Sequence, residues 1–504
     1  MSQGSFVPLP GTPESCWVAS APQTRYARYE RSDRADIAVI GGGIVGLTTA
    51  WLLTEAGYAV TLLEARSVGQ QVSGRSTAKI TAQHALIYRE LIDRFGLERA
   101  RLYAEANHSG VELVAALASK LQIDCDLVRT SAYAYTHRSQ RMAAIEAEAN
   151  AARDLGFDAE IVAPAPLPFT TVGALRFANQ AQFNPAQYLV GLAAAIADCG
   201  GRIFENARVD DIERVKGGNG WRVKLDRLHL EADHVVVATN IPIAAPKPFD
   251  VRLRPRCHTV LAFRAMPATA IDGMFIDIDA PSHSIRMGRD RDGPLLIVLG
   301  PSFTTGTDGD VAKRFQELEH WVRGNIPAGE VVWRWVNEDY DTHDRLPFAG
   351  ELTKDARNMY VATGFNGWGI SNGTAAAMLI ADQVQGLANP WSALYNPMRP
   401  LPPKGFNPGG DSQSIVDAIA EIAAGAGGVI ERGEKKIAVW KEEDGTPHAL
   451  SAACTHMGCT VTWNNADRTW DCPCHGSMFT CDGEVIHGPA TDPLKPVKLP
   501  SRET

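Results

Sequence analysis

No stretch of this 504-residue chain approaches the roughly 18–20 consecutive apolar residues of a membrane-spanning helix, so a helical span is not expected. Basic charge is also short. Lys and Arg number 49 against 58 Asp and Glu, a formal net charge of −9. That balance argues against nucleic acid or an anionic membrane as the main partner, because both require a basic footprint. The opening MSQGSFVPLPGTPESCW has no basic patch and no apolar h-region. No leader is expected, and the expected location is cytoplasmic. Internal repeats and low-complexity tracts are lacking. With 45% hydrophobic and 21% charged residues, the composition excludes a wholly disordered chain.

Cysteine is sparse over most of the chain and crowded near its end. Cys16, Cys125, Cys199 and Cys257 are solitary, and none lies between Cys257 and Cys454. Then Cys454, Cys459, Cys472, Cys474 and Cys481 follow closely. In a cytoplasmic protein such a crowd reads as metal binding before it reads as a disulfide framework.

The alternation of strand and helix signals begins at residue 36. DIAVI reads as a buried strand, GGGIVGLTTAWLLTEAG as a helix opened and closed by glycine, and YAVTLLEA as a second strand ending in an acid. Helical patterns follow over 86–120, 141–156 and 185–200. Strand patterns run from 202 to 239 and end in HVVVATN, a run suited to a parallel strand buried on both faces. Residues 251–340 read as strand-rich pieces of an inserted second domain. Near 360 the α/β pattern resumes with NMYVATG, the turn FNGWGISNG and the helix TAAAMLIADQVQG. The Pro- and Gly-rich stretch 396–411 reads as a semi-rigid linker. From 425 onward short strands with D-G and N-N turns suggest antiparallel hairpins. The expected organisation is an N-terminal arm (1–33), an α/β unit with an inserted α+β domain (34–395), a linker (396–424) and a small all-β domain (425–504).

Gly41, Gly43 and Gly46 form GxGxxG between the first strand and helix, and Glu64 ends the next strand. Gly41 allows the tight turn, Gly43 lets a pyrophosphate approach the helix N-terminus, and Gly46 lets helix and strand pack closely. Glu64 can accept from ribose hydroxyls. The pattern predicts a dinucleotide site but does not choose between NAD and FAD. Four pieces carry a resemblance that does: VIGGGIVGLTTAWLL, GRSTAKITAQH at 74–84, DRLPFAG at 344–350 and VATGFNGWGISNG at 361–373. They are similar to the D-amino-acid-oxidase-like family of FAD-dependent amine oxidoreductases, over about residues 34–390. The resemblance implies a Rossmann-type FAD-binding domain with a substrate domain. It implies that Ser76 and Thr77 pass close to the flavin and that Gly364, Gly367, Gly369 and Ile370 meet its ring. It also makes Lys79 a candidate catalytic residue that orients substrate or tunes the flavin. Some relatives hold FAD through a cysteine near the ring. The gap between Cys257 and Cys454 offers none there, so non-covalent FAD is expected.

In the cysteine crowd, Cys454-x-His456 is followed fifteen residues later by Cys472-x-x-His475. This is the spacing of a Rieske [2Fe–2S] centre, with two thiolates on one iron and two imidazoles on the other. The alternative is a Cys₂His₂ zinc site, but structural zinc sites usually pair Cys-x-x-Cys with His-x₃₋₅-His. Over about 425–500 the chain resembles a Rieske domain, and GPA at 488–490 resembles the proline loop that covers the cluster. The resemblance implies that Cys459 and Cys474, the spare pair, form a disulfide bracing the cluster loops. Ser477 stands where high-potential members donate to a bridging sulfide. Phe479 stands where they carry a tyrosine, so one hydroxyl donor is missing.

Three other patterns are set aside. Asp226, His229 and His234 resemble a two-His-one-carboxylate iron site, but the flanking alternation makes this an ordinary hairpin. Arg252, Arg254 and Arg256 alternate and are read as a solvated strand face. Tyr133 and Tyr135 are read as packing. The expected function is oxidation of a small amine or amino acid. The resemblance implies hydride transfer to flavin and an imine that water hydrolyses. Because a flavin carries two electrons and the cluster one, electrons are expected to pass stepwise to the Rieske cluster and on to an acceptor protein or small acceptor. The alternatives are an oxygen-using amine oxidase with a structural or regulatory Rieske domain, an NAD(P)H-to-acceptor flavoprotein, and a redox-regulatory binding module. A single GxGxxG argues against the NAD(P)H reading.

Overall fold

The strand Asp33–Ile40 is the centre of the first sheet. On one side it pairs in parallel with Val60–Leu63, which pairs with Arg202–Phe204. On the other it pairs in parallel with Leu228–Val237, which pairs with Met359–Thr363. Phe348–Glu351 closes one edge antiparallel, and Trp221–Leu225 and Asp211–Arg214 extend from Leu228–Val237. The computed structural model describes residues 9–218, 220–243, 252–307, 310–400, 419–433 and 435–499. Val235, Val236 and Val237 are fully buried, as a strand covered on both faces requires. Each such side chain contributes about 1.5–3 kcal/mol of burial. The helix Ile44–Glu55 is buried nearly all round, wedged between this sheet and the helices Pro185–Asp198 and Gly369–Val384. Asn184 caps the former by accepting from the Gln187 N–H.

The second sheet differs from an insertion confined to 251–340. Its order runs Val331–Thr342, Leu253–Arg264, Gly293–Phe303, Ser284–Asp290, Met274–Asp277, Val128–Thr136, Gly173–Gln182, Lys79–Ile80, with Ala159–Val162 off Gly173–Gln182. The chain thus crosses between the two sheets repeatedly. Lys79–Ile80 is two residues long, too short to leave a periodic signal. The helical pattern over 86–120 divides into Tyr88–Phe95 and Leu97–Lys120 at Gly96, whose φ of 83° stops the first helix. The helix near 370 starts earlier than its alanine run suggests, at Gly369.

After the linker, most of which lies outside the described residues, two small antiparallel sheets form. Gly427–Arg432, Lys435–Lys441 and Pro447–Ser451 make one; Thr462–Asn464, Thr469–Asp471, Met478–Thr480 and Val485–His487 make the other. Trp463, Trp470 and Phe479 pack in the core beside Cys454 and Cys472. Among the described residues no helix is long and apolar enough to cross a membrane.

Candidate flavin cleft and cluster site

The glycine turn is shaped by contacts that leave no space for side chains. A Cβ on Gly41 (φ 108°) would meet the Ala238 carbonyl oxygen at 2.5 Å, and one on Gly46 would meet the Gly41 oxygen at 1.9 Å. Gly43 precedes the helix Ile44–Glu55, and the Ile44 N–H donates to Ser73 Oγ at 3.0 Å. Glu64 is drawn into the same turn. Its Oε2 accepts from the Gly42 N–H at 2.7 Å and its Oε1 from the Arg66 N–H at 2.8 Å. Burial pushes this carboxyl above its ordinary range. Each oxygen keeps a further lone pair for a ribose hydroxyl.

Gly41, Gly42, Gly43 and Glu64 line one wall of a cleft with Ser73, Arg208 and Asn240, while Gly46 lies outside the lining and serves the close packing of the turn. The opposite wall is unexpected from the sequence. Ile486, His487, Gly488, Ala490 and Thr491 supply it from the C-terminal domain. Arg66 and Arg208 hold this wall by donating to the Val485 carbonyl at 3.2 and 3.1 Å. The loop around Pro489 therefore serves two sites, since the Ala490 N–H also donates to Ser477 Oγ at 3.1 Å beside the cysteine loops.

The cleft continues into a chamber lined by Gly43, Ser73, Ser76, Asn240, Asn337, Asp339, Phe365, Gly367, Gly369 and Ile370. Three of its polar atoms lack protein partners. Asn240 Nδ2, Asn337 Oδ1 and Asp339 Oδ1 are buried and meet none among the described residues. An apolar-walled chamber with a few unmatched donors and acceptors, continuous with a pyrophosphate turn, fits the ring system of FAD. Thr77 and Gly364 are not in this lining. The Thr77 carbonyl accepts from Arg286, and a Cβ on Gly364 would meet Thr342 Cγ2 at 2.4 Å, so Gly364 serves close packing behind the turn.

Lys79 lies beside the chamber, outside its lining. Its Nζ donates to Ser284 Oγ and stands 5.4 Å from the centre of the Trp368 ring. Burial, then the Arg286 guanidinium, push it down to about 7, so half its charge is lost near neutrality. That weakens its reading as a fixed cation. Trp368 stacks on His84, whose ring is held by Tyr103, Thr81 and Ser371 and kept neutral by burial.

The arginine row is not uniformly solvated. Arg254 is exposed, but Arg252 and Arg256 are half-buried, because Leu253–Arg264 runs inside the second sheet. Arg256 pairs with Asp341 at 3.1 Å. Asp226 sits in the turn between Leu225 and Leu228, and His229 and His234, five apart on one strand, point to opposite faces. That arrangement gathers no metal site. Tyr133 stacks on Phe275, and Tyr135 is buried.

At the second site, two loops bring Cys454, His456, Cys472 and His475 together. The thiols of Cys454 and Cys472 are in hydrogen-bond contact, and the rings of His456 and His475 lie 4.9 Å apart. His475 Nδ1 is buried without a partner among the described residues. The sulfurs of Cys459, Cys472 and Cys474 fall within 4.8 Å of one another, but Cys459 and Cys474 are joined in a disulfide. The remaining two-thiol, two-imidazole set fits the ligand chemistry of a [2Fe–2S] cluster of this type.

One strand lies between the two sites. Along Val331–Thr342, Asn337 and Asp339 face the chamber, while Glu338 and Tyr340 face the cysteine loops. Tyr340 Oη donates to the His475 carbonyl at 3.0 Å and lies 3.4 Å from His487 Nε2. A Cβ on Gly476 would meet Glu338 Oε1 at 2.4 Å. Sequence reasoning placed this segment among the strand-rich pieces of 251–340 but gave it no part in either site. Its signal was the polar run Asn337–Glu338–Asp339 inside an otherwise strand-like segment, where alternation leaves a polar group on both faces.

Known proteins agree with these two sites. The model of FAD dependent oxidoreductases (DAO) matches residues 36–383, and that of the Rieske [2Fe-2S] domain matches residues 412–498. The chain is 32% identical over 507 residues to the Rieske 2Fe-2S iron-sulfur protein YhfW of Bacillus subtilis, covering 97% of this chain and 98% of that one. It is 24% identical to γ-glutamylputrescine oxidoreductase of Escherichia coli, over 77% of this chain and 93% of the relative. Glycine oxidase from Geobacillus kaustophilus superposes on 74% of this chain and all of its own, with a TM-score of 0.62 at 19% identity, which is a likeness of fold. Cleft, chamber and cysteine loops are thus accounted for together: the chain belongs to the DAO family of FAD-dependent oxidoreductases, of the amino-acid and amine oxidase type, and carries a Rieske [2Fe–2S] domain after its flavin module.

Proposed function

We propose that the protein oxidises a small amine or amino acid and that the electrons leave through the Rieske cluster to an acceptor protein or small acceptor in the cytoplasm. Bound FAD supplies a two-electron acceptor and the cluster a one-electron carrier. In this reading Gly41, Gly43, Gly46 and Glu64 hold the dinucleotide without a covalent bond, and Ser76, Gly367, Gly369 and Ile370 surround the ring. Cys454, His456, Cys472 and His475 are the cluster ligands. Lys79, through Ser284 and Trp368, positions the chamber wall.

The observation that carries the reading is the strand Val331–Thr342, whose two faces serve the two sites. Tyr340 Oη bonds the backbone of His475, and the neighbouring Asp339 lines the chamber. Such proximity supports passage of electrons between ring and cluster. The relative named for γ-glutamylputrescine supports an amine substrate.

The test is anaerobic rapid mixing of the holoenzyme with amines and amino acids, following the flavin and cluster absorption bands separately. The flavin band is expected to bleach first and the cluster band to follow within one turnover. A cluster that stays oxidised while the flavin turns over at full rate would overturn the relay.

A further inference from the structure

The wall that the C-terminal domain lends to the flavin cleft holds a histidine with only one of its ring nitrogens engaged. His487 ends the strand Val485–His487, lines the cleft and is 8% exposed. Its Nε2 lies 3.4 Å from Tyr340 Oη and 3.6 Å from Glu338 Oε2, the second beyond hydrogen-bond reach. Its Nδ1 meets no partner among the described residues.

Proton counting fixes the tautomer. Tyr340 has one hydroxyl proton and gives it to the His475 carbonyl at 3.0 Å. Toward His487 the Tyr340 oxygen can only accept, so Nε2 carries the ring proton. Burial, then the charges of Arg75 and Arg66, push the ring down to about 4, so it stays neutral in ordinary buffers. Nδ1 is left as a lone pair and calls for a donor. The phosphate oxygens of FAD only accept, whereas its sugar hydroxyls donate.

We propose that His487, a residue of the Rieske domain, belongs to the FAD site and accepts through Nδ1 from a sugar hydroxyl of the cofactor. The flavin site is then complete only with the two domains docked, and by linkage docking and FAD strengthen each other by the same factor. The inference rests on the family's FAD and not on the substrate or the relay.

Two amides separate the two nitrogens. His487→Asn puts an amide oxygen where Nδ1 stands and gives up the Tyr340 contact. His487→Gln puts an amide N–H where Nε2 stands and gives up the cleft contact. FAD release from the holoenzyme is followed by the rise of flavin fluorescence on dilution, with iron content as the check on folding. His487→Gln is expected to release FAD about tenfold faster than the unaltered protein, and His487→Asn within about twofold of it. Equal release by the two variants would overturn the proposal, because the ring would then serve packing alone. ADP and FMN, bound separately to the FAD-stripped full chain, tell the hydroxyls apart. Weakening of ADP by His487→Gln assigns the ribose, weakening of FMN assigns the ribityl chain, and weakening of neither overturns the contact. In the unaltered chain, loading FAD is expected to slow amide hydrogen exchange over residues 485–491 at least about tenfold. Unchanged exchange there would overturn the proposal without any variant.

Discussion

The cluster site takes its four candidate ligands from two loops between Cys454 and His475, whereas the flavin cleft draws on stretches as far apart as Gly41 and Thr491. The first site is written almost contiguously, because loops closing on a small cluster need few residues between ligands. The second is assembled by two sheets that exchange strands and by a wall borrowed from the other domain. Local spacing therefore points to all four candidate ligands of the cluster site. In the flavin cleft it points only to the glycine turn and Glu64, and the Gly367–Ile370 turn was legible through the family resemblance alone.

The sharpest way to break this comparison is to remove each cofactor alone. Gly43→Val adds a branched side chain where a Cβ already meets Ser73 Oγ at 3.0 Å and where a pyrophosphate would lie on the helix N-terminus. FAD occupancy, read from the flavin absorbance, is expected to fall at least about tenfold while iron content stays. Cys454→Ala should do the reverse, with iron lost and FAD retained. It should also leave substrate-driven bleaching of the flavin nearly intact and abolish transfer to a one-electron acceptor. Loss of both cofactors from either variant would mean that the sites do not form separately.

A second measurement sharpens the chamber side. Burial raises Asp339 to about 6, against the neighbouring Arg256. The carboxyl gains its charge in mildly acidic solution, so the flavin absorption band of the holoenzyme should shift as pH climbs through about 6. Asp339→Asn should flatten that shift. The folding linkage has the opposite sense. A carboxyl whose folded value lies above its unfolded one favours the folded state below about 4, and that contribution is lost as pH rises through about 6.

A smaller effect is expected where the two sites touch. Tyr340→Phe deletes the donor to the His475 carbonyl, which costs about 1–3 kcal/mol if the carbonyl stays buried and unpaired. Thermal unfolding should register this, and flavin-to-cluster transfer should slow with FAD and iron contents unchanged. The smallest effect belongs to Phe479→Tyr. Phe479 is fully buried beside the cysteine loops, and a hydroxyl donated toward them favours the more negative, reduced cluster. The midpoint potential should rise in a redox titration; an unchanged or lower value counts against that placement.

What the sequence left hidden has physical causes. The strand HVVVATN and the helix at 185 were legible because burial on both faces and a proline–glycine frame leave periodic marks. Asp339 was not, because an acid on a strand looks like a solvent-facing residue until the neighbouring strand covers it. The borrowed wall at Ile486–Thr491 was invisible because no local pattern records which surface a folded domain will meet. Arg256 was misread for the same reason: its strand sits inside a sheet whose other members come from as far away in sequence as Lys79–Ile80.

The strand Val331–Thr342 also limits how this chain can change. Its side chains alternate with a period of two, so a deletion of one residue upstream of Asn337 would exchange its faces. Glu338 and Tyr340 would turn into the chamber, and Asp339 would press against the cysteine loops. Single substitutions can retune either side independently, but length cannot vary here without scrambling both. A lineage of such proteins should therefore accept new side chains at 337–340 while holding the spacing to Gly350 and Gly364 fixed.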